Sequence, residues 1–577
     1  MTEPITQTSK PVKFKINTLD VEGYPGEKII DVAKRYGINI PHLCMHPRLE
    51  RIGACRLCIV DIEGVPKPVT SCNTDFKEGM IIKTHTPRIL RDRRTIMKLI
   101  LANHDYNCVT CSQDLQCTLQ KYAEEMTLLE NEFKGEVRHS EPDFSSTSIV
   151  RDNKRCILCR RCIRACNDIQ TVYAIGVQNR GFYSEINTPF KVPLAESSCV
   201  NCGQCVVVCP TGALDEKSGL NEVIEALNSG KHIFVQTAPS IRATLGECFG
   251  LPLGTPVTGK MVSALREIGF EKVFDTNFAA DITIIEEATE FIKRFKEKRD
   301  LPLITTCCPA WVKFGEQFFF EELHHMSTCR SPQSMMASLV KTYYATKMNI
   351  KPEDIMLVDI MPCTAKKFEI QRPEFKGETD IVLTTTELGK LIKQFDIDFN
   401  SLPDSDFDNP FGTSSGAGDI FGRSGGVMEA ALRSAADMLT GETLQNIEYK
   451  TIRGTEIWKE AELTIADTKI KIAVVHTLGG ARKIMNMIRE GACPYHFIEI
   501  MACYGGCVGG GGQPRYDDSY ILEKRAEALN KEDSGKKIRK SHENLDVIKL
   551  YKDYLGEFGG ETAHRLLHTW YRKREHL

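Results

Sequence analysis

Cys156, Cys159, Cys162 and Cys166 form a C-x2-C-x2-C-x3-C run, and Cys199, Cys202, Cys205 and Cys209 repeat it, closed by Pro210. Three thiolates on a tight loop can grip one face of an iron–sulfur cube while a distant fourth closes it. In this arrangement the fourth cysteine of each run ligates the other of two 4Fe–4S clusters. One cluster would take Cys156, Cys159, Cys162 and Cys209, the other Cys199, Cys202, Cys205 and Cys166. Zinc also takes thiolates but rarely needs eight in this order. Asn167, not Pro, follows Cys166, which alters the turn more than the ligation. The chain has 23 cysteines, most in tight clusters of this kind. In a large chain expected to stay in a reducing compartment, such clustering favours metal ligation over disulfides.

Two further sets precede this bacterial-type ferredoxin pattern. Cys44, Cys55, Cys58 and Cys72 place one thiol before a ten-residue gap, then a CxxC, then a fourth thiol. The set resembles a plant-type 2Fe–2S ferredoxin module, although that module's first gap is four residues. A zinc ribbon would want two CxxC pairs, and only one is here. His104 stands one helical turn before Cys108, followed by Cys111 and Cys117. One nitrogen beside three thiolates is also a zinc set, but the flanking iron–sulfur modules favour a His/Cys3 4Fe–4S cluster. Four centres in series within the first 220 residues suit the movement of single electrons over distance.

The remaining cysteines sit in longer motifs: Thr305-Thr306-Cys307-Cys308-Pro309-Ala310-Trp311, Met361-Pro362-Cys363-Thr364-Ala365-Lys366-Lys367-Phe368-Glu369, and Met501-Ala502-Cys503-Tyr504-Gly505-Gly506-Cys507. Four thiolates, Cys308, Cys363, Cys503 and Cys507, suffice for one more 4Fe–4S cluster. They leave Cys307 and Lys366 unexplained; each in isolation reads as a core cysteine and a surface lysine. The three motifs, in this order, resemble the signatures of FeFe (iron-only) hydrogenases of the larger clostridial type. The resemblance runs across essentially the whole chain and includes the 415–435 segment.

The resemblance implies an H-cluster: a cubane joined through the Cys507 thiolate to a two-iron unit with CO, cyanide and an amine-containing dithiolate bridge. It implies that Lys366 donates to one cyanide, that Ala238, Pro239 and Ser240 flank the other, and that Gln333 is a further polar contact. Met361 and Met501 would press on the cluster and limit water. The family's proton relay maps onto Cys307, Glu287, Ser327, Glu290 and Arg294, the last near the surface. Glu287, Glu290 and Arg294 fall on one face of a helix predicted over 286–296; without the resemblance that face reads as a solvated charge stripe. Ala310 stands where many members have Gly, and Tyr504 where the prototype has His. A tyrosine hydroxyl cannot supply the charge of a histidine. Cys248, Cys329 and Cys493 take no role and read as small buried hydrophobes.

These residues need scaffolds. At 577 residues the chain is too long for one ordinary core. Its 74 basic and 77 acidic residues give a net charge of −3, so no global field points to nucleic acid or a membrane surface. The N-terminal sequence lacks a leader's apolar core, and no apolar run reaches the roughly 18 residues of a membrane span; a cytoplasmic protein is expected. The predicted fold class is multidomain α+β and α/β: N-terminal ferredoxin-like modules, then a large α/β catalytic domain with parallel sheets. The expected divisions are 1–90 (2Fe–2S), 91–135 (His/Cys3), 136–220 (two 4Fe–4S) and 221–577 (catalytic), with a closing helical segment from about 520. Short apolar runs at 233–236, 303–305, 355–360, 381–384, 472–475 and 497–501 read as buried strands. Several run directly into cysteine, so distant thiols can converge beyond strand C-termini.

The implied activity is reversible reduction of protons to H2, with electrons from a ferredoxin or flavodoxin-like carrier and the two-iron unit installed by maturation proteins. Three other readings compete. The catalytic subunit of an NAD-linked bifurcating complex would need partner subunits, because no dinucleotide fingerprint is present. An electron-wire subunit like that of respiratory complex I would explain residues 1–220 but not Cys307, Lys366 or the 501–507 motif. A sensor would add a signalling domain, and none is visible.

Overall fold

The computed structural model describes residues 10–105, 107–128, 133, 135–138, 140–440, 448–465 and 468–575. The expected leaderless terminus, residues 1–9, and parts of 129–134 in the His/Cys3 region lie outside them. The fold is a mixed α+β chain in which ferredoxin-like modules precede a catalytic domain with parallel sheets.

At the N-terminal end, strands Val12–Ile16 and Leu19–Gly23 pair antiparallel and extend into a five-stranded sheet. The helix Ile29–Arg35 buries Ile29, Ile30, Val32 and Ala33 against it. The helices Pro87–Leu101 and Thr118–Glu125 follow, the first capped by Thr86. The paired cysteine runs lie between the small ladders Ile149–Arg151 with Leu214–Glu216 and Gly176–Gln178 with Glu185–Asn187.

The catalytic domain is layered. One sheet is wholly parallel, with His232–Thr237 between Lys272–Asp275 and Ile355–Met361, and Ile381–Thr384 at its edge. The other joins Leu303–Ile304, Phe497–Met501 and Thr468–His476 in parallel, with Trp458–Ile465 as an antiparallel edge. The helix Thr276–Glu297 lies between the sheets. Phe278, Ile282 and Ile285 pack with Phe234 and Leu357 of the first, and Ala280, Ile284 and Phe291 with Val474 and Phe497 of the second. A helix covered on both sides loses the polar stripe that marks a surface helix, so the sequence pattern predicts only its C-terminal half. The outer faces are closed by Thr258–Ile268 and Thr385–Gln394 on the first sheet, and by Pro309–Phe318 and Leu478–Arg489 on the second.

The six predicted strands are all present. Lys272–Asp275 and Trp458–Ile465 are additional; both carry charged residues that obscure a strand pattern. Among the described residues no helix is long and apolar enough to cross a membrane.

Candidate metal centres and active site

The strands end where the chemistry begins. Thr237 and Ile360 are paired in register, as are Met361 and Thr384, and His476 and Met501. At and just beyond these ends, Ala238, Pro239, Ser240, Cys307, Cys308, Gln333, Met361, Cys363, Lys366, Met501, Cys503 and Cys507 line one cavity of about 80 Å³. All twelve residues expected near the catalytic cluster are thus brought to one wall.

Local structure fixes them. Cys308 is the residue before the helix Pro309–Phe318, and its Sγ accepts from Ala502 N at 3.4 Å. Glu499, on a strand, accepts from Gly425 N and Met428 N at 2.6 and 2.7 Å. That contact docks the start of the helix Gly426–Thr440 beside the 501–507 loop. Gly506 has φ +91°, and a Cβ there would sit 2.5 Å from Ser424 N. Gln236 donates to Asp359 Oδ1 at 2.8 Å and to the Gln333 carbonyl at 3.1 Å, fixing the Gln333 backbone.

The cavity suits an anionic, polar metal group. The Ser240 hydroxyl and Gln333 Oε1 are buried without a partner, and buried polar atoms seldom stay so unless a ligand completes them. Lys366 Nζ is 2.6 Å from Glu369 Oε2. Burial works against the lysine's charge, but Glu369 outweighs it and its pKa is raised. Burial also raises the thiols of Cys308, Cys503 and Cys507, and pushes Cys363 up to about 12. A metal that binds them must displace their protons. Ala310 is buried in the first helical turn. Tyr504 is not left without a cation: the Arg48 guanidinium, from the N-terminal module, stacks on Tyr504 at 5.1 Å and on Tyr516 at 4.8 Å.

Behind Cys307 lies a line of buried polar groups. Burial drives the Cys307 thiol well up, with Glu287 acting in the same direction. Glu287 is raised to about 8, chiefly by burial, and its Oε2 has no partner. Ser327 Oγ donates to Glu290 Oε2 at 3.0 Å, and Arg294 Nη2 pairs with Glu290 Oε1 at 2.6 Å. Arg294 is only 8% exposed and is also tied to the carbonyls of Asp300, His324 and Met326. The expectation of a solvated stripe therefore fails on burial. Cys329 is buried with Sγ 3.9 Å from Glu290 Oε2. Cys248 packs against Gly389, and Cys493 lies near Tyr495.

Sequence reasoning missed Glu369, although Lys366 and Glu369 at i and i+3 of a helix are a readable pair. It also missed Arg48 and the polar groups of the closing segment, for which no local signal exists.

The other cysteine sets adjoin one another. In the N-terminal set, the Cys44 thiol faces Cys55 and the Cys58 thiol faces Cys72. Arg164 Nη2 donates to the carbonyls of Cys44 at 2.8 Å and Cys159 at 3.4 Å, joining that set to the first cysteine run. His104 Nδ1 is buried without a partner, and burial lowers its pKa to about 4, leaving a neutral imidazole able to ligate. Cys117 Sγ lies 3.6 Å from the Pro210 carbonyl, and a Cβ on Gly212 would meet Cys111 Sγ at 2.5 Å. The His104 set thus abuts the loop after Cys209. Cys156, Cys162, Cys166, Cys199, Cys202 and Cys205 are gathered with Cys209 inside the ferredoxin-like module or at its border with the catalytic domain. Among the described residues, the groups of three metal-capable side chains closing within 4.8 Å are Glu290–Cys329–His568 and Asp437–His542–Glu543. The wider cysteine sets suit a cluster rather than one zinc, whose thiolate ligands sit about 2.3 Å from the metal.

Several segments of the chain are similar to known protein families. Residues 231–511 match the model of the C-terminal domain of the iron-only hydrogenase large subunit, and 519–574 match the iron hydrogenase small subunit. Residues 9–87 match a 2Fe–2S cluster-binding domain, 93–132 the iron–sulfur binding region of NADH-ubiquinone oxidoreductase G, and 155–213 a 4Fe–4S dicluster domain. The chain is 46% identical to the NADP-reducing hydrogenase subunit HndD of Solidesulfovibrio fructosivorans, over 96% of this chain and 97% of that one. It is 39% identical to iron hydrogenase 1 of Clostridium pasteurianum, over 94% and 97% respectively. A solved FeFe hydrogenase from Chlamydomonas reinhardtii superposes with a TM-score of 0.56 at 37% identity, covering 62% of this chain and 99% of that one.

Proposed function

Because the chain belongs to the iron-only hydrogenase family, we propose that it reversibly reduces protons to H2 in the cavity lined by Cys307 and Lys366, using electrons from a ferredoxin or flavodoxin-like carrier in the cytoplasm. The observation that carries this is the meeting of Cys308, Cys363, Cys503 and Cys507 in one buried wall with Cys307, Lys366 and two unpartnered polar atoms.

In this reading the four thiols hold the cubane of the H-cluster, and maturation proteins supply its two-iron unit. When bound, that unit provides the redox metal and the basic amine at which protons and electrons combine. One 2Fe–2S cluster would use Cys44, Cys55, Cys58 and Cys72, and three accessory 4Fe–4S clusters the His104 set and the two cysteine runs. The protein's own part is positional and protonic. Lys366, pinned by Glu369, presents an ammonium to anionic ligands. Met361 and Met501 exclude water from the wall. Cys307 holds a proton on its thiol at the cavity wall. Glu287, near 8, can take up or release one close to neutrality. Ser327 passes it to Glu290, which Arg294 steadies.

A second reading bears only on the electron partner. The relative at 46% identity is named as a subunit of an NADP-reducing hydrogenase, which favours a nicotinamide-linked partner over a free carrier. One experiment addresses both. Matured protein is expected to show infrared stretches of CO and cyanide and to evolve H2 with a chemically reduced carrier protein. Absence of those bands after maturation would overturn the hydrogenase reading; H2 evolution only with NADPH and added partner subunits would replace the carrier reading by the second.

A further inference from the structure

The segment matched by the small-subunit model contains a histidine that the proposed relay does not use. His568, 7% exposed, sits with both ring nitrogens engaged. Its Nδ1 is 2.7 Å from Thr328 Oγ1, and its Nε2 is 2.9 Å from Glu286 Oε2. Thr328 Oγ1 is in turn 3.2 Å from Glu290 Oε2. Glu286 also accepts from Tyr551 OH at 2.5 Å and from Gly559 N at 3.1 Å, so it faces His568 as a fixed acceptor. The other charged or titratable groups around His568 are Glu290 with Arg294 beyond it, Cys329, Arg330, whose Nε donates to the His568 carbonyl, and His564, whose exposed ring stacks on His568 at 4.4 Å.

One hydroxyl cannot donate to two acceptors at once. With neutral His568, Nε2–H is directed to Glu286 and Nδ1 accepts the Thr328 proton, the shorter of the two Thr328 contacts. When Nδ1 carries a proton it must donate to Thr328, and the Thr328 hydroxyl turns its own proton to Glu290. We infer that His568 sets the protonation of Glu290 through Thr328, making the C-terminal segment a second branch of the proton route beside Arg294. This rests on the hydrogenase reading for its purpose, but the coupling is a property of the side chains themselves. The step balances: a proton leaves His568 Nδ1 for Thr328 Oγ1 as the Thr328 proton moves to Glu290 Oε2. The imidazolium becomes neutral, the carboxylate becomes neutral, and the hydroxyl is restored.

The test uses full-length matured protein with Thr328→Val, which keeps the volume and His568 but removes the hydroxyl, and His568→Gln, which keeps an amide but cannot titrate. The first readout is the infrared carboxyl band of Glu290, identified by its loss in Glu290→Gln and followed across the pH range of H2 turnover. Both variants are expected to move the pH at which that band appears. The second is the pH profile of H2 turnover, expected to fall about ten-fold on its acid side, with the CO and cyanide bands unmoved. A Glu290 band that titrates as in the parent in both variants overturns the inference. A shifted band in a protein that makes no H2 supports the coupling and counts against the hydrogenase reading alone.

Discussion

Gly203 and Gly511 touch backbone to backbone: a Cβ built on either would lie 2.7 Å from the Cα of the other. Gly203 lies in the loop between Cys202 and Cys205, and Gly511 follows the Cys507 loop. Thr364 Oγ1, next to Cys363, donates to the Asn201 carbonyl at 2.7 Å and closes the same seam. The second cysteine run and the loop after Cys507 therefore meet backbone to backbone at these two glycines, with the Thr364 side chain beside them.

Gly511→Ala should open that seam. The new methyl would also meet the Cys202 carbonyl at 2.8 Å, so the loops must part, at a cost of about 1–3 kcal/mol. Carrier-driven H2 evolution is expected to fall further than the melting temperature alone explains. H2-driven reduction of the accessory clusters, followed by stopped-flow, should slow in parallel. An unchanged intermodule rate would show that electrons cross elsewhere.

How much of this is legible in the chain follows from what each feature demands. Cluster ligation demands local spacing, so the cysteine sets stand out. Strands that run into cysteine carry their own signal, because a buried parallel strand is a short apolar run. The helix Thr276–Glu297 is half hidden, since burial against Phe234 on one side and Phe497 on the other removes its period. The contacts of Arg48 with Tyr504, and of His568 with Glu286 and Thr328, join residues hundreds of positions apart or in different modules. Nothing local encodes them; only packing does.

Cys307→Ser should separate proton delivery from cluster binding. A hydroxyl fits the space of the thiol but releases its proton far less readily. Turnover is expected to drop by about 100-fold or more, with iron content and infrared bands retained. Loss of iron from the cavity would make Cys307 a ligand instead of a proton carrier.

Glu287→Gln should stabilise the protein in a pH-dependent way. Burial raises Glu287 from 4.5 to about 8. Below 4.5 both folded and unfolded chains hold the proton, and its contribution to stability is fully present. Between 4.5 and 8 the unfolded chain loses the proton while the folded chain keeps it, so stability falls as pH rises. Above 8 the loss is complete and on the order of 5 kcal/mol. Glutamine is neutral throughout. The melting temperatures of parent and variant should converge near pH 4.5 and separate progressively to about pH 8.5, the variant being higher, while H2 turnover is lost. A constant offset across that range would place the carboxylate in contact with solvent.

His104→Cys tests the nitrogen ligand independently of turnover. The His104 ring is kept neutral by burial, and its Nδ1 has no protein partner, so a metal is the group that would complete it. Replacing two thiolates by imidazoles raises the potential of Rieske centres; the reverse exchange at one ligand should lower it, because a thiolate adds negative charge to the cluster. Potentiometric titration followed by electron paramagnetic resonance is expected to show one accessory 4Fe–4S signal moved to lower potential and the others in place. The direction matters more than the size. A cluster that keeps its potential when His104 becomes Cys is not held by His104, and His104→Ala, by leaving the cluster intact, would confirm that loss of role.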